Sequence, residues 1–147
     1  MHFRFVWIGK TKNPHFSALE GDYAARLGKF VRCDFDILRD GPDKETEGKR
    51  ILEKLNPSSL VCLLDVTGRA LSSHDLADQV EKWQNAAIRE ITFVIGGAEG
   101  VSAGVAEKAH LRVSLSFLTL THEMARVVLV EQLYRAFTII KGFPYQK

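Results

Sequence analysis

No stretch of the 147-residue chain approaches the ~20 apolar residues that a membrane-spanning helix requires. A helical membrane anchor is therefore not expected. The opening "MHFRFVWIGK" is short, carries charge inside it and reads as a strand, so no secretory signal is expected there. Cysteine is scarce. Cys33 and Cys62 both fall in predicted strands, and neither belongs to a Cys-x-x-Cys pair. Buried reduced thiols in a cytoplasmic protein are expected, not a disulfide framework. His2, His15, His74, His110 and His122 show no metal-ligand spacing, and no metal site is expected. Neither sign of charge dominates. A net charge of +2 permits nucleic-acid binding without the basic patch of a bulk electrostatic binder. Repeats and low-complexity tracts are also missing, and the length suits one domain over residues 1–147.

What the chain does have is regular alternation. Phe3–Ile8 is β-rich and closed by Gly9. Phe16, Leu19, Tyr23, Leu27 and Phe30 fall on one helix face. Cys33–Leu38 alternates Asp with apolar residues, as a strand near a sheet edge does. Lys44–Leu55 reads as a helix stopped by Pro57. Leu60–Leu64 and Ile91–Ile95 are apolar runs, the mark of strands covered on both faces. After the first of them, "DVTGRAL" is expected to turn away. Ser72 then begins a helix, with Asp75 in a capping-box position. Ser102 caps a short helix through Ala109. Leu111–Leu115 is the last strand, and His122 to about Ile140 is the last helix. The order βαβαβαβαβα predicts an α/β fold, a mostly parallel sheet covered by helices on both faces.

In open sheets of this kind, ligands lie outside the carboxyl ends of the strands. Three segments reach that edge: Leu63–Gly68, Val94–Gly100 and Ser114–Glu123. In the second, Gly96 and Gly97 either answer a tight turn or bare the backbone to a ligand. The pattern is not Gly-x-Gly-x-x-Gly and follows the fourth strand, so nicotinamide dinucleotide binding is set aside. The third, "SLSFLTLTHE", has neither Gly nor Pro and reads as a buried loop. Its amides and carbonyls would need partners, from neighbouring chain or from the edge of a purine. The last helix is apolar on more than one side, through Val127, Val128, Leu129, Val130, Leu133, Tyr134, Phe137 and Ile140. Such a helix is central to a core or shared with a second subunit. His122 and Arg126, one turn apart, can face one site. The plainer alternatives are a capping role for His122 and an ion pair of Arg126 with Glu123 or Glu131.

"LLDVTG", "FVIGGAEGVS", "LSFLTLTHEMARVVLVEQLYRAF" and the closing "GFPY" carry a family pattern in their order and spacing. Over essentially its whole length the chain resembles the ribosomal RNA large-subunit methyltransferase H family, small members of the SPOUT methyltransferases. The resemblance implies a C-terminal trefoil knot, which no sequence rule would suggest because true knots are very rare. It implies S-adenosyl-L-methionine as cofactor and a homodimer in which each site is completed by the partner. It also implies methyl transfer to N3 of a pseudouridine in 23S rRNA, on assembled ribosomes. Cofactor contacts are implied at Leu64, Gly96 and Gly97, and at Leu115, Ser116, Phe117, Leu118, Thr119 and Leu120. Substrate binding and catalysis are implied at His122, Arg126 and Tyr145, with His122 as base and Arg126 on an RNA phosphate or the uracil anion. Relatives commonly end in Tyr-His and a basic residue. This chain ends Tyr145-Gln146-Lys147, so a proton-carrying role there is closed to Gln146. RNA contacts are expected from Lys10, Lys12, Arg135 and the Lys141–Lys147 tail. Three rival readings remain: a SPOUT methyltransferase for another RNA such as tRNA, a non-catalytic module that binds an adenine nucleotide, and a purely structural ribosome-associated protein, which would not need the glycine turn at a ligand edge.

Overall fold

Strands and helices alternate along the whole chain: β1 (His2–Ile8), α1 (Pro14–Leu27), β2 (Arg32–Leu38), α2 (Lys44–Lys54), β3 (Leu60–Ala70), α3 (Ser73–Asn85), β4 (Glu90–Ile95), α4 (Ala103–Lys108), β5 (Leu111–Ser114) and α5 (His122–Lys141). The computed structural model describes residues 1–146; Lys147, the last residue of the basic tail, lies outside the described residues. The strands form one parallel sheet in the order β2-β1-β4-β3-β5. Central β4 is buried at every residue, which is why it reads as a continuous apolar run. β2 lies at an edge, where Phe35 and Ile37 stay exposed.

Alternation along each strand sorts the apolar side chains into two cores. Phe3, Phe5, Trp7, Cys62, Phe93 and Val113 join one core with residues of α1, α3 and α5. Val6, Ile8, Val61, Leu63 and Val94 join the other with Ile51 of α2 and Val105 of α4. The first core is dense in aromatics: Phe5 stacks on Phe93 at 5.4 Å, and Phe3 meets Phe93 edge-on at 5.1 Å. α5 packs against both α1 and α3, so it is the middle helix of its layer. This position accounts for much of its many-sided apolar surface: Leu129, Val130, Leu133, Ala136 and Phe137 are buried within the one chain.

The helix starts follow local capping chemistry. Asn13 accepts from His15 N and Phe16 N just before Pro14, so α1 begins ahead of its first apolar residue. Ser72 and Asp75 form a complete capping box. Ser102 caps α4, Thr121 caps α5, and Gly142 closes α5 at φ +73°.

Two segments depart from expectation. β3 does not end at Leu64 but resumes and runs to Ala70. Val113 of β5 stands opposite both Leu64 and Arg69, so Asp65–Gly68 bulges out between them. Asp65 shapes the excursion by accepting from Thr67 N (3.0 Å) and Thr67 Oγ1 (2.9 Å). Gly68 lets the strand close again: a Cβ there would stand 2.8 Å from backbone atoms of Arg112 and Val113.

The second departure is the 115–121 loop, which is not buried. Phe117 is 80% exposed and Leu118 76%. Its serines satisfy part of the backbone locally, since Ser114 Oγ donates to Ser116 O and Leu118 N donates to Ser116 Oγ. Leu115 packs against the first core, but Phe117 and Leu118 find no cover within the described chain. The loop's path is also unusual. β5 is an edge strand, yet α5 starts beside β1, where Glu123 accepts from Lys12 N and Asn13 N. Residues 115–121 therefore cross the ends of β3 and β4, roughly 14 Å at the usual strand spacing. They share that edge with the connections leaving β3 and β4, a crowding that α/β folds usually avoid.

Candidate active site

The residues implied as cofactor contacts converge at one edge. Leu63 stands opposite Val94, two residues before Gly96, and Leu64 stands opposite Val113, two residues before Leu115. Leu64 before the β3 bulge, Gly96 and Gly97 after β4, and Leu115 after β5 thus stand at one level on three adjacent strands, and Ser116, Phe117, Leu118, Thr119 and Leu120 pass across them. The two central glycines differ. A Cβ on Gly96 would lie 2.6 Å from Gly100 O, so the turn itself demands glycine there. Gly100 N donates to Gly97 O, and Gly100 sits at φ +83°. A Cβ on Gly97 would meet no backbone, only Glu47 Oε1 at 2.9 Å. Gly97 therefore presents bare main chain beside an uncovered apolar loop. These features fit an adenosine-bearing cofactor: open amides for its polar edge, and leucine and phenylalanine for its ring.

Beside this edge lies a cleft of about 370 Å³, between the β1–α1 loop, the β2–α2 loop and the glycine turn. Gly97, Lys10, Lys12, Asp40, Glu47 and His122 are among its lining residues. His122 is half-buried there, on the first turn of α5. Glu123 lines the cleft too, but its carboxylate is already engaged. Its carboxylate accepts from Lys12 N (3.1 Å) and Asn13 N (3.0 Å), which holds it below its ordinary pKa. The first loop is thereby fixed over the cleft.

Arg126 is not on the cleft surface. It is fully buried, donating to Ile8 O and to Thr11 Oγ1 (3.0 Å), with its guanidinium 5.2 Å from the Trp7 ring centroid. Burial lowers its pKa, opposed by Glu20, Glu123 and Asp40, yet a guanidinium remains charged in a protein. One turn of spacing does not bring His122 and Arg126 to one surface, because the longer side chain is drawn inward to the carbonyl ending β1. A guanidinium enclosed this way cannot hold an RNA phosphate. It joins α5 to β1 and so positions His122.

Tyr145 belongs to a separate cluster. Its hydroxyl bonds Glu131 Oε2 at 2.6 Å and Tyr23 Oη at 3.3 Å. Burial, then Glu131, raises the phenol pKa well above its ordinary value. Arg135 pairs with Glu131 at 2.8 Å, lies over the Tyr145 ring at 4.7 Å and donates to Gln146 Oε1 at 2.7 Å. Gln146 thus has a structural partner at the position where the resemblance implies a histidine in relatives. Glu131 and Tyr23 were not singled out for a site on sequence; the i,i+4 spacing of Glu131 and Arg135 was the available signal. Glu131 follows His122 by nine residues on α5, roughly 14 Å of helix, and this separates the cluster from His122. Within one chain the two groups do not meet. Among the described residues there is no cluster of three or more metal-ligating side chains, and no helix is long and apolar enough to cross a membrane.

A family model described as "Predicted SPOUT methyltransferase" matches residues 1–146. Proteins named ribosomal RNA large subunit methyltransferase H are similar over their full length. The one from Maridesulfovibrio salexigens is 40% identical, covering 97% of this chain and 96% of the relative. That from Flavobacterium psychrophilum is 39% identical over 99% and 98%. Among solved structures, a probable methyltransferase from Bordetella pertussis Tohama I aligns with a TM-score of 0.57 at 12% identity, covering 91% of this chain and 95% of that one. A probable methylase family protein from Haemophilus influenzae Rd KW20 aligns with the same TM-score at 17% identity, over 99% and 70%. At those identities the two structures share the fold.

Two predictions follow from the geometry. Gly97→Val should abolish cofactor binding by calorimetry with little change in melting temperature, whereas Gly96→Ala should lower the melting temperature itself. Equal destabilisation by both would make Gly97 a turn residue only. Arg126→Ala should cost about 3 kcal/mol or more in urea unfolding, because Ile8 O and Thr11 Oγ1 lose their donor. Arg126→Lys should not restore it, since a point charge cannot span both acceptors. Unchanged stability with weaker RNA binding would place the guanidinium on the surface.

Proposed function

The chain belongs to the SPOUT methyltransferase family, and on that premise we propose that it methylates N3 of a pseudouridine in 23S rRNA on assembled ribosomes. S-adenosyl-L-methionine is the cofactor in this reading, and the working unit is a homodimer. The observation that carries it is the Gly97 turn, which is shared between the cofactor edge and the cleft that His122 lines. A donor on one side of that turn and an acceptor on the other would be held in contact distance. The names of the full-length relatives support ribosomal RNA as the substrate. A ribosomal substrate implies a cytoplasmic protein. The path of residues 115–121 across the ends of β3 and β4 supports the trefoil knot.

When bound, the cofactor supplies a methyl group on a sulfonium that departs as a neutral thioether. The chain's own task is to orient the acceptor and remove the N3 proton, since an imide-type nitrogen is a poor nucleophile while protonated. His122 takes that proton. Arg126 is a positioning residue that fixes the first turn of α5, and Lys10 and Lys12 at the cleft rim hold the RNA backbone. Tyr145 enters from the second copy. The roughly 14 Å of helix between His122 and Glu131, which holds the Tyr145 hydroxyl, supports this arrangement, as do the exposed Phe117, Leu118 and Met124 near the His122 end, which a second copy would cover.

Tritiated S-adenosyl-L-methionine should be incubated with intact ribosomes lacking the target methyl group, with the same RNA stripped of protein, and with tRNA. Label confined to the large-subunit RNA of intact ribosomes, on a pseudouridine, is the expected result. Label in tRNA would transfer the activity to another RNA. Failure to bind the cofactor would overturn the enzyme reading.

A further inference from the structure

We propose that the cleft receives the target base itself and that Glu47 of α2 accepts a hydrogen bond from its N1–H, making Glu47 the residue that distinguishes pseudouridine from uridine. The inference rests on the pseudouridine reading above. Uridine joins its ribose through N1 and keeps one ring N–H, at N3. Pseudouridine joins through C5 and presents two, at N1 and N3. With N3 turned toward the donor and His122, a site that prefers pseudouridine needs a separate acceptor for N1–H. An ionised carboxylate is an acceptor only and forms the stronger, charge-assisted kind of bond.

Five carboxylates line the cleft; Asp40 and Glu99 are exposed, and two of the other three are committed. Glu123 holds the amides of Lys12 and Asn13, and Asp43 caps α2 through Thr46 N at 2.7 Å. Glu47 uses only one oxygen, Oε2, to accept from Gly41 N at 3.2 Å. Among the described residues no donor reaches its Oε1. That oxygen lies against Gly97, 2.9 Å from where a Cβ would stand, on the wall shared with the cofactor edge. Gly97 thus opens the space into which Glu47 extends. The charge pattern also sorts a nucleotide. Lys10, Lys12 and Lys44 are exposed at the rim, where phosphates would lie, while half-buried Glu47 suits a neutral ring and repels a phosphate. The volume of about 370 Å³ lies within the roughly 300–1,000 Å³ of small-ligand sites.

The test compares kcat/KM on two ribosome preparations, one with pseudouridine at the target and one from cells that leave uridine there. Glu47→Ala should lose about ten- to a hundredfold on the pseudouridine ribosomes, the loss expected for a charge-assisted bond, and little on the uridine ribosomes. The preference should therefore collapse while cofactor affinity and melting temperature hold. Glu47→Gln, which keeps an acceptor oxygen and the reach to Gly41 N, should retain part of the preference. It decides the case if the alanine variant does not fold. A preference equal to wild type in the folded variants overturns the proposal. So does an unchanged preference with weakened cofactor binding, which would put Glu47 on the donor's amino group. Wild-type protein inert on both preparations would overturn the functional reading and this inference with it.

Discussion

One buried positive charge holds the working edge of this molecule together. Arg126 has no exposed surface, and enclosing a guanidinium costs several kcal/mol before its partners are counted. Those partners are few: the Ile8 carbonyl, the Thr11 hydroxyl and the face of Trp7. All belong to β1 or the loop after it. The last helix is thus fastened to the first strand across 118 positions of sequence, where both reach the carboxyl edge of the sheet. Glu123 adds a second fastening through two loop amides. His122, next in the chain, inherits its place from both. The Arg126 Nε has no partner among the described residues, so the arrangement is not one of maximal stability. It fixes geometry at some cost, as strained or buried polar groups near functional sites commonly do.

α5 then acts as a rigid beam between two polar groupings. It is held between α1, α3 and the sheet; its first turn carries His122, and its middle turns carry the Glu131–Arg135–Tyr145 cluster. A packed helix cannot fold back to join them. In the proposed dimer, an antiparallel neighbour brings the Tyr145 cluster of one α5 to the first turn of the other. The 115–121 loop fits the same logic. It is apolar without being buried, the state expected of chain that is covered by a ligand or a second copy.

Much of the fold could be read from the residues. Buried parallel strands announce themselves as apolar runs, as Ile91–Ile95 does, and Ser72 with Asp75 marks a helix start by hydrogen-bonding chemistry alone. The convergence of Leu64, Gly96, Gly97 and Leu115 followed from strand order. Four things were not legible. The Asp65–Gly68 bulge looks like a terminating turn, because the residues that build an Asx turn inside a strand also end strands. The exposed loop looks buried, because composition reports a need for cover without saying which molecule supplies it. Arg126 looks like a surface cation, because burial of a charge is decided by partners distant in sequence. Glu47 escaped notice for a related reason: on the polar side of a half-buried helix, an acid carries no mark of the glycine it leans on.

The most direct measurement is complementation between two inactive variants. His122→Ala and Tyr145→Phe proteins would be prepared separately, mixed, unfolded and refolded together, and assayed for methyl transfer to ribosomes. If each site joins His122 of one copy to Tyr145 of the other, reassorted dimers regain one intact site, and activity returns to about a quarter of wild type. If both groups act within one chain, every site in the mixture remains defective and activity stays at the level of the separate variants, which would contradict the shared site.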